Sequence, residues 1–134
     1  MPRLIGLATS VLALCTLANA APAQAPAKPP TRTVLQQVDV ATSPAQETIV
    51  GTVDIVPGSG NALHTHNGSE IGYVLSGRIQ LEVSGQPLRE LGPGESFLVT
   101  RGVAHRSILI GSEPAKLLNT WTVDKGRPLL VPVP

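Results

Sequence analysis

Turn signals cut the chain into short pieces. Between residues 33 and 124, Pro57-Gly58, Asn67-Gly68, Ser76-Gly77, Ser84-Gly85, Gly92-Pro93-Gly94 and Arg101-Gly102 follow one another closely. Glycine, proline and asparagine at such points favour chain reversal and interrupt regular structure. An amphipathic helix needs a sustained 3.6-residue apolar period, and no interval here carries one. The intervals are instead short runs rich in Val, Ile, Thr and Leu, which suits strands. The reading gives strands at Thr33–Val40, Glu47–Val56, Leu63–His66, Glu70–Leu75 and Arg78–Val83. It continues with Gln86–Leu91, Ser96–Val99, Ala104–Ile110 and Ala115–Val123. Many short strands at near-regular spacing, with no solenoid repeat, predict an all-β sandwich or small antiparallel barrel.

The ends read differently. Met1-Pro2-Arg3 gives a positive start, Leu4 to Ala18 is uncharged and apolar, and Ala18-Asn19-Ala20 is a small-x-small cleavage pattern. Residues 1–20 therefore read as a secretory signal peptide, too short for a comfortable membrane span. Residues 21–32 alternate alanine and proline and read as a linker. The barrel is expected over 33–124. Residues 125–134 read as a Pro-rich tail, frayed or laid on the surface, with a strap across a partner subunit as the sharper alternative. The protein is thus expected to be exported, periplasmic or secreted.

Charge narrows the partners. The 134-residue chain has ten basic and nine acidic residues, and Arg3 falls in the leader. The remainder is balanced, with no basic stripe to neutralise phosphates, so nucleic acid is not an expected partner. No basic amphipathic helix points to a membrane surface after signal cleavage. Cys15 is the single cysteine and lies in the leader, so the expected mature chain has no disulfide and no thiolate ligand.

All three histidines fall in a pattern with chemistry. His64 and His66 are one residue apart in an expected strand, so they point to one face with Cα atoms about 6.5–7 Å apart. The turn after His66 brings Glu70 back beside them, and His105, from a distant strand, can complete a three-nitrogen, one-oxygen set. Such a set suits one divalent transition metal per chain: iron, manganese, nickel, copper or zinc. Read from the histidine pair alone, surface histidines on a β-domain are an equal reading.

The stretch from Gly58 to Gly77, GSGNALHTHNGSEIGYVLSG, resembles the first sequence motif of the cupins at every spacing. Their second motif is matched by Gly94, Gly102 and His105, with Thr100 where proline is usual and Leu109 where asparagine is usual. The resemblance implies a jelly-roll β-barrel with an internal metal. Residue by residue, it implies that His64, His66, Glu70 and His105 are the ligands, with one or two coordination positions left open. It also implies a homodimer, paired through a sheet face or an edge strand.

The remaining residues have two-sided readings. Glu70 is expected as a ligand and, swung off the metal, as the catalytic base. Arg106 should point outward as a solvated charge. Phe97, Tyr73 and Trp121 read as packing residues, with Phe97 as an alternative wall of the metal pocket. Ser107 and Leu109 share the face of His105. Gly72 and Val74 share the face of Glu70, leaving space there. The functional expectation is a metal-dependent enzyme, dioxygenase- or isomerase-like, acting on a small organic substrate. A non-catalytic protein that binds a small ligand or a metal is the alternative.

Overall fold

A computed structural model describes residues 28–134. The expected signal peptide and residues 21–27 of the expected linker lie outside the described residues. Ten strands make up the described fold, with no helix among them. One sheet has the order β1 (Thr31–Asp39), β2 (Gln46–Ile55), β9 (Ala115–Asp124), β4 (Gly68–Ser76), β7 (Ser96–Val99). The other has the order β10 (Val131–Pro132), β3 (His64–Thr65), β8 (His105–Leu109), β5 (Ile79–Val83), β6 (Arg89–Leu91). The paired strands run antiparallel, and the crossing connections give the jelly-roll arrangement.

Alternation along each strand builds the interior. On β9, Ala115, Leu117, Asn119, Trp121 and Val123 are buried while the residues between them are half-exposed. On β5, Ile79, Leu81 and Val83 do the same. Ile55, Val74, Ile79, Leu81, Leu91, Ala115 and Leu117 are at most 1% exposed and form the apolar part of the core. Burying such side chains is the main favourable term in a domain of this size.

Both ends of the fold depart from the sequence reading. Strand β1 begins at Thr31, so the linker boundary drawn at residue 32 falls inside a strand. Lys28 is bridged to Ser59, and Pro30 is buried. At the other end, β10 pairs with β3, Val131 opposite Thr65 and Pro132 opposite His64. The prolines of this segment are tolerated because β10 is an edge strand. The other expected strands are present, with shorter limits at β3 and β6.

Candidate metal centre

His64 on β3 stands directly opposite His105 on β8. His66 follows one residue after β3 and keeps the alternation, so His64 and His66 are buried while Thr65 is half-exposed. The chain then turns at Gly68 into β4 and delivers Glu70 opposite Trp121 of β9. Gly68 is required there: a Cβ would lie 1.9 Å from the Thr122 carbonyl oxygen. Any side chain would push β4 off β9 and displace Glu70 with it.

The structure brings the four residues singled out in the sequence together. His64, His66, Glu70 and His105 are buried, and each offers a ligand atom within 4.8 Å of the others. Ring centroids are 4.9 Å apart for His64 and His66, 4.4 Å for His64 and His105, and 5.0 Å for His66 and His105.

Hydrogen bonding fixes how the rings are presented. Nδ1 of His64 donates to the Ala62 carbonyl at 2.8 Å, Nδ1 of His66 to the Leu129 carbonyl at 2.5 Å, and Nδ1 of His105 to the Val103 carbonyl at 3.0 Å. A carbonyl oxygen only accepts, so each Nδ1 carries the proton and each Nε2 is left with a lone pair. Yet Nε2 of His66 and of His105 lie 2.9 and 2.8 Å from Glu70 Oε2. Two lone pairs cannot face a carboxylate oxygen at that distance without a positive centre between them. A second proton on each ring, or one metal cation, meets the need. Ring nitrogens held by backbone carbonyls on their far side are also the usual outer support of metal-binding histidines. The donor set therefore fits a divalent transition metal.

Electrostatics agree with that arrangement. Burial pushes the His64 imidazole down to about 4, against the pull of the Ala62 carbonyl, so it is neutral at neutral pH. Burial alone would raise the Glu70 carboxyl, but the close His105 and His66 rings outweigh it and hold the group well below its ordinary value. Neutral imidazole and ionised carboxylate are the forms a metal requires.

The four groups face a small pocket that opens to solvent. Its wall contains several residues that sequence reasoning passed over. The Asn119 side-chain amide donates to Glu70 Oε1, so both carboxylate oxygens are held. A polar residue at an inward position of the stripe Ala115-Leu117-Asn119-Trp121-Val123 was the signal that could have found it. Trp121 forms a wall beside His66, ring centroids 6.4 Å apart. Arg32 and Asn61 also line the cavity and are joined by a 2.6 Å hydrogen bond from Arg32 Nη2 to Asn61 Oδ1. Burial lowers Arg32 from its ordinary value, and the charge of Glu70 acts the other way.

Other assignments sort themselves. Ser107 lines the cavity as its shared face with His105 predicts, and Leu109 packs against the apolar core. Arg106 pairs with Glu82 at 2.7 Å on the outside. Phe97 is not a pocket wall. It stands opposite Gly72, and a Cβ on Gly72 would lie 2.2 Å from its ring. The space expected beside Glu70 is thus filled by that ring, which is buried in the core.

Comparison with known proteins follows the same lines. A 115-residue stretch is 29% identical to oxalate oxidase 2 of Hordeum vulgare, covering 78% of this chain and 51% of that protein. The chain spans about half the length of the curated relatives it matches over that stretch. A double-stranded β-helix protein from Klebsiella pneumoniae subsp. pneumoniae MGH 78578 shares the fold, with a TM-score of 0.64 at 19% identity, over 82% of this chain and 90% of that one. A solved oxalate oxidase is similar with a TM-score of 0.57 at 28% identity, over 76% of this chain and 55% of that one. The cupin domain family matches residues 51–121, more than half of the chain and the whole span from β3 through β8, and the protein belongs to that family.

Proposed function

We propose that this protein is an exported, metal-dependent cupin enzyme that oxidises or isomerises a small organic acid. The carrying observation is the gathering of three Nδ1-anchored imidazoles and one carboxylate, with Nε2 of His66 and of His105 both turned onto Glu70 Oε2, a donor set that one metal cation would satisfy. The similarity to oxalate oxidases supports a small acid as the substrate class. The leader-like sequence at residues 1–20 supports export.

His64, His66, Glu70 and His105 would hold the ion. A bound divalent transition metal supplies a Lewis acid for substrate oxygens and, when redox-active, a route to oxygen chemistry. The backbone carbonyls of Ala62, Val103 and Leu129 orient the rings. Asn119 holds Glu70 Oε1, so Glu70 acts as a proton acceptor only when that hydrogen bond or its ligand contact gives way. Val53, Leu117 and Trp121 limit water on the apolar side of the cavity. A second reading, a non-catalytic small-ligand or metal-binding protein, draws on the same observation. With both oxygens of Glu70 engaged, the cavity has no unencumbered carboxylate base.

A homodimer is part of the proposal. Ile71, Tyr73, Leu75 and Leu98 are exposed on β4 and β7, and a second copy would cover them.

The test is elemental analysis of untagged protein beside a His64→Ala/His105→Ala variant, followed by oxygen uptake with oxalate, glycolate and related acids. About one iron, manganese, nickel or copper per chain, absent from the variant, together with acid-dependent oxygen uptake supports the enzyme. A bound metal with ligand retention and no turnover supports the binding protein. No metal after reloading overturns both.

A further inference from the structure

Of the residues lining the cavity, Arg32 alone is a permanent cation, and the reading above gives it no task. Its situation differs from that of the outer cations. Arg78, Arg101, Arg106, Lys116 and Lys125 each pair with a carboxylate, and Lys28, Arg89 and Arg127 are exposed to water. Arg32 is half-buried, yet among the described residues no carboxylate lies within ion-pair distance of it. A guanidinium carries five N–H donors, and Asn61 accepts from Nη2. Taking a cation partly out of water without a counter-anion is costly, so such a group is suited to receive an anion from outside.

Its placement is built rather than incidental. The Gly60 N–H donates to the Lys28 carbonyl at 3.0 Å, which lays the chain across the loop that holds Asn61. Arg32 is then opposite Val53 of β2, another residue of the cavity wall. Asn61 precedes His64 by three residues, so the loop that fixes the guanidinium also leads into the first histidine.

We propose that Arg32, oriented by Asn61, is a specificity-determining residue that binds one carboxylate of a small organic acid whose other oxygens face the His64, His66, Glu70 and His105 cluster. This rests on the small-acid reading above and deepens it: the preferred ligand is a compact dianion such as a dicarboxylate. A guanidinium fork matches a carboxylate in bidentate fashion, and the little enclosed room between Arg32 and the four-residue cluster restricts the ligand to a short acid reaching in from the open mouth.

The experiment is calorimetric titration of the manganese-loaded protein with oxalate and with oxamate, in which an amide replaces one carboxylate. Wild type is compared with Arg32→Gln and Arg32→Lys. Arg32→Gln is expected to weaken oxalate by about 10- to 100-fold and to shrink the preference over oxamate, with manganese content unchanged. Arg32→Lys should recover part of the affinity, because it keeps the charge and loses the fork. Oxalate binding equal to wild type in Arg32→Gln overturns the role of Arg32 and leaves the small-acid reading standing. Failure of fully loaded wild type to bind either acid overturns both. Should the variants not fold, phenylglyoxal labelling of wild type decides. Oxalate should protect Arg32 and leave the exposed Arg89 reactive, and an unprotected Arg32 overturns the proposal.

Discussion

The same strands build two unlike halves of one interior. Around Ile55, Val74, Ile79, Leu81, Leu91 and Ala115 the inward positions are apolar and closely filled. Around His64, His66, Glu70, His105, Ser107 and Asn119 they are polar and buried. The first half gains free energy by leaving water. The second half gives some back, because desolvated polar groups stabilise only when fully partnered. Two polar atoms in it, Asn119 Oδ1 and Trp121 Nε1, are buried without a partner. β9 runs through both halves, from Ala115 and Leu117 to Asn119 and Trp121, so no boundary in the chain separates stability from site. The division is between inward positions of single strands, and substitutions should separate the halves cleanly.

The largest separation is expected from His105→Ala. Losing one of four ligands should cost more metal affinity than the roughly 10- to 100-fold that losing an outer support costs. Metal-free stability should change little, since the substitution also relieves the lone pair facing Glu70. Metal-binding titration and thermal melting of the stripped protein check both. A folding collapse in the stripped variant would break the comparison by making the polar half structural. Ile79→Ala, in the apolar half and fully buried, should do the reverse. It should cost about 2–5 kcal/mol of stability through lost burial and a residual cavity. Its metal stoichiometry should be that of wild type.

The legible parts of the molecule were those that follow from alternation within one strand. His64 and His66 share a face because of the two-residue period, and Glu70 returns because Asn67-Gly68 turns. The all-β class followed from turn spacing in the same way. What alternation does not supply is the register between strands. That Phe97 lies over Gly72 depends on how β4 pairs with β7, so a glycine that suggested space is in fact covered. Arg32 was hidden for another reason. It follows a proline-rich stretch that has no strand pattern of its own and is held by pairing to distant residues. The Leu129 carbonyl left no trace at all, because every residue has one.

That carbonyl gives the third test. His66 Nδ1 donates to it, and Val133 N donates to the Leu63 carbonyl beyond. Removing residues 127–134 takes away a support of one ring without touching a ligand. Metal affinity should fall by about 10- to 100-fold, less than for His105→Ala, while the apolar half stays folded. Asn119→Leu removes the hold on Glu70 Oε1 and should fall in the same range. Affinity unchanged in both would mean that the rings and the carboxylate are held by packing alone.

The smallest effect is the acid response of the metal-free protein. His64 is pushed down to about 4 by burial, whereas in the unfolded chain it titrates at its ordinary value. Between those two values the unfolded state binds the extra proton and the folded state does not. Stability therefore falls as pH falls through that window. From pH 7 to pH 5.5 the loss attributable to His64 is about 1 kcal/mol. Glu70, held below its ordinary value, adds its own loss only at still lower pH, in the same direction. Denaturant unfolding of the stripped protein at several pH values measures the slope, and His64→Gln should flatten it between pH 7 and 5.5 by that amount. The loaded protein should lose metal over the same range, because protons and metal compete for the same imidazole nitrogens. An equally steep slope in His64→Gln would remove His64 as the source of the acid response.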